Sequence, residues 1–186
     1  MPLLEKDEFY HIYNRGNDKQ RIFFERDNYL YFLRKLNHIN NYVDILSWCL
    51  MPNHFHILVY VSNPVNNYQI NIKFGTMLSS YSQAINKNLN RTGSLFQQRT
   101  KFKKIASEEY ALVCFNYIHQ NPMKAGLVDK MENYEFSSFK DYTGFRQGKL
   151  INKELALEIL KLPTLPNEIY DLSYQLLPAP KIGKIL

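Results

Sequence analysis

Cysteine is scarce: the chain holds two, Cys49 and Cys114, among 186 residues. They lie far apart and inside apolar segments, which predicts reduced core thiols of an intracellular protein rather than a disulfide framework. No CxxC pair, P-loop or GxGxxG run occurs, so zinc-ribbon, Walker-type NTPase and dinucleotide-binding readings have no support. No apolar run approaches the roughly 20 residues that cross a bilayer. The opening MPLLEKDEFY lacks the basic region and apolar stretch of a secretory signal. The expectation is a cytoplasmic protein with no membrane partner. Internal repeats and low-complexity blocks are missing as well. Tryptophan occurs once, although Tyr 14 and Phe 12 raise the aromatic share to 15%. Against these absences stand 45% hydrophobic and 22% charged residues, enough for a packed core and too apolar for global disorder. Lys+Arg 23 against Asp+Glu 17 gives a net charge of +6, an excess that permits a polyanionic partner without establishing one.

Apolar spacing divides the chain into seven main elements. Residues 8–15 (EFYHIYNR) alternate as a strand does and are broken by Gly16, Asn17 and Asp18. Residues 27–40 place Leu30, Leu33, Leu36 and Ile39 at helical spacing behind Asp27 as N-cap. Residues 43–50 and 54–61 read as strands joined by the turn Met51-Pro52-Asn53, hence a hairpin. A helix is expected from about 70 to 89, with Ile72, Met77, Tyr81 and Ile85 among its apolar positions. A basic strand or arm follows over 95–105. Ser107 with Glu108 and Glu109 starts a helix that should stop before Pro122, with an apolar stripe of Leu112, Phe115 and Ile118. Tyr134, Phe136, Phe139 and Tyr142 read as hooks that lay the next segment on the core. Residues 152–162 suggest a last helix, and the prolines at 163, 166, 178 and 180 suggest an extended tail. The order β-α-β-β-α-β-α predicts an α+β, ferredoxin-like antiparallel sheet (βαββαβ) with helices on one face and an added helix on the other. The expected division is a domain over 1–145 and a C-terminal extension over 146–186.

Three groups of residues carry chemistry. His54 and His56 stand at i and i+2 on one strand, so both imidazoles leave the same face while Phe55, Ile57 and Val59 go to the other. Two neutral imidazoles so close suit a divalent metal; the plain alternative is a structural pair on a half-exposed strand. Tyr117 lies on the helix from Ser107, with Asn116, His119, Gln120 and Asn121 crowding polar groups at its end. Asn121, one turn on, offers an amide oxygen to complete a metal site, or simply caps the helix before Pro122. A phenol with a pKa of about 10 is mostly protonated at neutral pH. Beside a metal-polarised phosphate it would serve as a nucleophile, giving a phosphotyrosine that stores the energy of the bond it breaks. The third group is basic. Arg91, Arg99, Lys101, Lys103 and Lys104 are interleaved with Phe96 and Phe102, a pattern that suits a single-stranded nucleic-acid backbone with stacked bases, or a solvated edge strand guarded by lysines.

At these residues the chain resembles the single-tyrosine HUH transposases, and among them the REP-associated tyrosine transposases. Asn14-Arg15-Gly16 with Ile22-Phe23 is similar to the family's opening strand and loop, and the run from Met51 to Val59 (MPNHFHILV) to its histidine strand. Tyr81, Asn86, Arg91, Gly93, Leu95, Phe96 and Arg99 resemble the segment before its last strand. Tyr117-Ile118-His119, Asn121-Pro122 and Lys124-Ala125-Gly126-Leu127-Val128 resemble its catalytic helix and exit, and Tyr134 with Ser137-Ser138-Phe139 its closing segment. The matches run in order over about residues 8–143. Phe96 and Phe136 stand where tryptophan is common, and Thr100 stands before Lys101-Phe102 where an aromatic often follows the arginine.

The resemblance implies His54 and His56 as ligands of Mg²⁺ or Mn²⁺, with Asn121 as third ligand. It also implies Tyr117 as a nucleophile on single-stranded DNA, leaving a 5′-phosphotyrosine and a free 3′-OH. Arg15 joins the basic residues as a DNA contact. The implied protein is a nucleoid-associated transposase acting on hairpin-forming repeats, as homodimer or monomer. Two other readings remain: a binding protein of the same fold without activity, and a metal hydrolase of small molecules.

Overall fold

The computed structural model describes residues 3–175. Strands β1 (Phe9–Arg15), β2 (Asp44–Met51), β3 (His54–Tyr60) and β4 (Lys101–Ile105) form one sheet in the order β2-β3-β1-β4, every neighbouring pair antiparallel. Helices α1 (Arg26–Asn37), α2 (Asn67–Asn88) and α3 (Glu108–Lys124) stand between and after the strands. This is the βαββαβ arrangement read from the apolar spacing. Three shorter helices follow: α4 (Phe139–Tyr142), α5 (Lys153–Ile159) and α6 (Pro166–Tyr174). Among the described residues no helix is long and apolar enough to cross a membrane.

Strand alternation divides the sheet into two faces. Ile12, Phe55, Ile57 and Phe102 are buried on the face covered by α1 and α2, where Phe32 packs against Phe55 with ring centroids 5.2 Å apart and Phe74 against Phe102 at 5.2 Å. Each buried ring contributes roughly 1.5–3 kcal/mol of apolar burial. The other face lies under α3. It carries His11, Tyr13 and Arg15 from β1 beside His54 and His56 from β3, with Tyr13 opposite His56 and Arg15 opposite His54.

The hairpin turn that delivers His54 is held from outside. Pro52 O accepts the N–H groups of Ile22 (2.8 Å) and Phe23 (3.1 Å), and Asn53 O accepts that of Gly16 (2.8 Å). A Cβ on Gly16 would stand 2.1 Å from the carbonyl oxygen of Gln20, so this close approach requires glycine. Tyr81 from α2 donates to Ile22 O at 2.6 Å and ties the same loop to the core.

Residues 134–142 hook on as expected, and run beside the outer edge of β2. Leu50 N–H donates to Phe136 O and Ser138 N–H to Trp48 O, both at 2.9 Å, while the hydroxyls of Tyr134 and Tyr142 donate to Leu50 O and Leu46 O. The ladder groups of that edge are thereby occupied. Phe136 stacks on Tyr29 at 3.9 Å. Both cysteines are buried free thiols.

Several boundaries differ from expectation. Helix α1 is capped by Glu25, which forms a capping box with Asn28, while Asp27 sits in the first turn. In α2 the core side is Ile70, Phe74, Met77, Leu78, Tyr81 and Ile85, and Ile72 is exposed. Only Lys101–Ile105 of the basic segment is a strand; the residues before it form an arm bonded to β1 through Gln97 N–H to Arg15 O (2.8 Å). Helix α3 passes through Pro122 to Lys124, because a proline in the last turn removes one backbone bond and Ala125 N–H still reaches Asn121 O. The expected stripe on α3 is too narrow, since α3 is also covered by α6 and the segment before it. Gln120 is buried and donates to Ser173 O (2.7 Å) and Gln175 O (2.8 Å). The segment 166–174 is therefore a docked helix with Pro166 in its first turn, not an extended tail. Pro178 and Pro180 lie outside the described residues.

His119 is enclosed by Phe115, Phe139 and Tyr142, with Nε2 2.8 Å from Ser138 Oγ and Nδ1 without a partner. Burial pushes its pKa down to about 3. Unfolded, the ring takes a proton below about pH 6.5. Stability should therefore fall as pH drops below that value, by up to roughly 1.4 kcal/mol per pH unit from this group, and be unaffected above it. Urea midpoints measured between about pH 7 and about pH 4.5 should show a shallower fall in His119→Gln than in wild type; parallel curves would refute the assignment.

Candidate active site

Four chain segments meet over the α3 face of the sheet. β1 and β3 bring Tyr13, Asn14, Arg15, His54 and His56; the arm and the start of β4 bring Gln97, Arg99 and Lys101; α3 brings Tyr117. Together they line a cleft of about 420 Å³. None of the lining residues is acidic, and three are cations.

The rings of His54 and His56 stand edge to face with centroids 5.0 Å apart, and the ring of Tyr117 lies 5.5 Å from that of His56. Each imidazole is held from behind. His54 Nδ1 lies 2.6 Å from Asn53 Oδ1, while Asn53 Nδ2 donates to Lys19 O at 3.1 Å. The second bond orients the amide, so its oxygen must accept from His54 Nδ1–H and the lone pair of His54 is left at Nε2. His56 Nδ1 lies 2.8 Å from His11 Nε2, a fully buried partner.

Burial, and secondarily the charge of Arg15, pushes the His54 pKa down to about 4. His56 is held well below its ordinary range, by burial first and then by the neighbouring histidines. Both rings are thus neutral at neutral pH, the form that binds a metal. Among the described residues no three His, Cys, Asp or Glu side chains cluster as a metal cage. The donor set is two imidazoles, which fits a divalent ion whose other positions are taken by amide, phosphate or water oxygen.

Tyr117 is half-buried, and desolvation raises its pKa while the Asn121 amide pulls it the other way. Asn121 Nδ2 donates to Tyr117 O at 3.0 Å, and the residue does not line the cleft. Nor does Asn121 cap the helix, since α3 continues to Lys124.

The basic residues separate. Arg15, Arg99 and Lys101 face the cleft. Lys103 lies beside His11 in the ladder and is half-buried. Lys104 points to the opposite side and pairs with Glu5 (2.9 Å) and Glu8 (3.0 Å), so it is no open cation. Arg91 bonds Gln20 and Asn86 and ties the turn after α2 to the loop after β1. Phe96, expected to stack a base, is instead buried against Phe55 and Tyr81, because the arm turns that ring into the core. A wider groove of about 1050 Å³ along α2 shares Asn14, Gln97, Arg99 and Lys101 with the cleft and so continues it.

Sequence reasoning missed His11, Tyr13 and Gln97, and quoted Asn14 and Asn53 within motifs without giving them a place in the site. Strand alternation already places His11 and Tyr13 on one face with Arg15, but only the β1–β3 register sets that face beside His56.

No family model matches the chain. A Haemophilus influenzae protein assigned as a REP-associated tyrosine transposase is 29% identical over 98 residues, which cover 49% of this chain and 56% of that one. The alignment thus spans about half the length of the curated relative. Among solved structures, a REP-associated tyrosine transposase bound to a REP hairpin superposes with a TM-score of 0.63 at 15% identity, covering 81% of this chain and 87% of that one. The structural match bears out the fold. The sequence match is a likeness to a REP-associated tyrosine transposase over part of each chain.

The electrostatic account is open to a direct check. In the apo protein, the His54 ring should titrate by NMR with a midpoint of about 4. Arg15→Ala removes one positive charge and should raise that midpoint, though not to the ordinary 6.5 or so, because burial is the larger cause. A wild-type midpoint already near the ordinary value would contradict the burial argument.

Proposed function

We propose that the chain cleaves and rejoins single-stranded DNA, using Tyr117 as nucleophile and a divalent ion held by His54 and His56. The observation that carries this reading is the meeting, within one chain, of a phenol and two neutral imidazoles in a cleft lined by cations. In the forward step the Tyr117 oxygen bonds to phosphorus, the P–O3′ bond breaks, and the departing 3′ oxygen takes up a proton as the phenol loses its own. A 3′-OH attacking the resulting 5′-phosphotyrosine reverses the step and joins strands without ATP. A bound Mg²⁺ or Mn²⁺ would polarise the phosphoryl oxygen and offset the charge that develops there. Arg15, Arg99 and Lys101 hold the phosphate backbone, and the groove along α2 offers the strand a path away from the cleft. The REP hairpin in the solved relative supports hairpin-forming repeats as the substrate class.

Labelled single-stranded DNA carrying such repeats should form a covalent adduct with the wild-type chain in Mn²⁺. The adduct should be absent in EDTA and in Tyr117→Phe. Salt-sensitive binding with no adduct would instead indicate a binding protein, and turnover of small phosphoesters without an adduct a hydrolase.

The division among the lysines predicts a second result. Lys101→Ala should weaken DNA binding and reduce the slope of log affinity against log salt by about 0.7, the value for one lost contact to a single strand. Lys104→Ala, whose ammonium already has two carboxylate partners, should leave the slope unchanged. Equal slopes for the two variants would refute a strand path over Lys101.

A further inference from the structure

We propose that His11 is a positioning residue that fixes the tautomer of His56: its Nε2 accepts the Nδ1 proton of His56 and so reserves His56 Nε2 for a metal ion. The role rests on the metal-assisted reading of the cleft. His11 has no exposed surface, and its ring lies end to end with that of His56, with centroids 5.0 Å apart and planes 25° from parallel. The two facing nitrogens are 2.8 Å apart, so one proton lies between them. Two arrangements satisfy that contact. With the proton on His56 Nδ1, His56 Nε2 keeps its lone pair. With the proton on His11 Nε2, His56 must carry its own proton at Nε2 and binds no cation there.

The neighbouring ring decides between them. Asn53, oriented by its bond to Lys19 O, accepts from His54 Nδ1–H and leaves that ring free at Nε2. A site that binds one ion through both rings needs the same tautomer at His56. An acceptor buried behind each ligand is what imposes it.

The placement of His11 is a consequence of the ladder. Tyr13 stands directly opposite His56, and His11 is the next residue along β1 on that face, diagonal to His56. The ring of Tyr117 lies 6.3 Å from that of His11, edge to face. The aromatic residue under the nucleophile is therefore also the residue behind the ligand.

The test uses the full chain labelled with ¹⁵N-histidine. Long-range ¹H–¹⁵N spectra of the metal-free wild type should show His56 protonated at Nδ1 and bare at Nε2; a proton at Nε2 would overturn the proposal. Mn²⁺ affinity, read by electron paramagnetic resonance, gives the second arm. His11→Leu should weaken binding by about tenfold or more, within the range for loss of a ligand's supporting partner. His11→Gln, which places an amide oxygen at a similar reach, should restore most of it, with thermal melts confirming that each variant is folded. If His56→Ala loses Mn²⁺ while His11→Leu binds as wild type does, the positioning role fails and the metal site stands. If wild type binds Mn²⁺ no better than His56→Ala, both fail together.

Discussion

The register of β1 against β3 is the constraint on which the rest of the structure depends. It sets Arg15 opposite His54 and Tyr13 opposite His56, and leaves Ile12 opposite Ile57 on the far face. A slip of one residue would send His11, Tyr13 and Arg15 into the layer under α1 and α2 and bring Ile12 under α3. No local repair exists for such a slip, since the buried face has no room for an arginine and the cleft would lose Tyr13, Arg15 and the support of His56 together. The register is secured at the end where the chemistry lies. Gly16 and Ile22 bond the hairpin turn, and Gln97 bonds Arg15, so the loop after β1 and the arm before β4 both anchor the strand at Arg15.

A second constraint acts through α3. It must present Tyr117 to the sheet, yet it is a helix crowded with polar side chains. Three of them find partners elsewhere, Gln120 in the backbone at the end of α6, His119 Nε2 in Ser138 and Asn121 in the carbonyl of Tyr117, while His119 Nδ1 and Asn116 Oδ1 are buried without one. Buried polar groups left unpaired would cost about 1–3 kcal/mol each. The docking of α6 thus does more than extend the core, because it absorbs an amide that otherwise has no partner.

The element order was legible because strand and helix periods differ so clearly in this chain, and the HxH spacing placed both imidazoles on one face without any tertiary information. Burial limits were harder to read. Ile72 has the right spacing for the core, but α2 rotates so that Ile70 and Phe74 take that place. Phe96 sits among cations and reads as a stacking platform, but an irregular arm has no fixed alternation, and the ring turns inward. Lys104 lies on the opposite face of β4 from Lys101 and meets Glu5 and Glu8, almost a hundred residues away along the chain. Partners of that kind, like the pairing of His11 with His56, exist only once strands distant in sequence have aligned.

The same burial that orders the site creates its chemical difficulty. Removing Tyr117 from water makes its phenolate harder to form, and removing His54 and His56 from water prevents them from carrying positive charge. The neutral imidazoles therefore do not stabilise a phenolate by their own charge. In the proposed reaction, positive potential would come from Arg15, Arg99 and Lys101 around the cleft and from an ion that neutral rings are suited to hold. Neutral rings bind an ion through one nitrogen only if the proton sits on the other, so in the proposed reaction the reactivity of the phenol would trace back to Asn53 and to the buried ring of His11. On this account the supporting residues are as necessary to the nucleophile as the ligands themselves, although neither Asn53 nor His11 lines the cleft in which the reaction would occur.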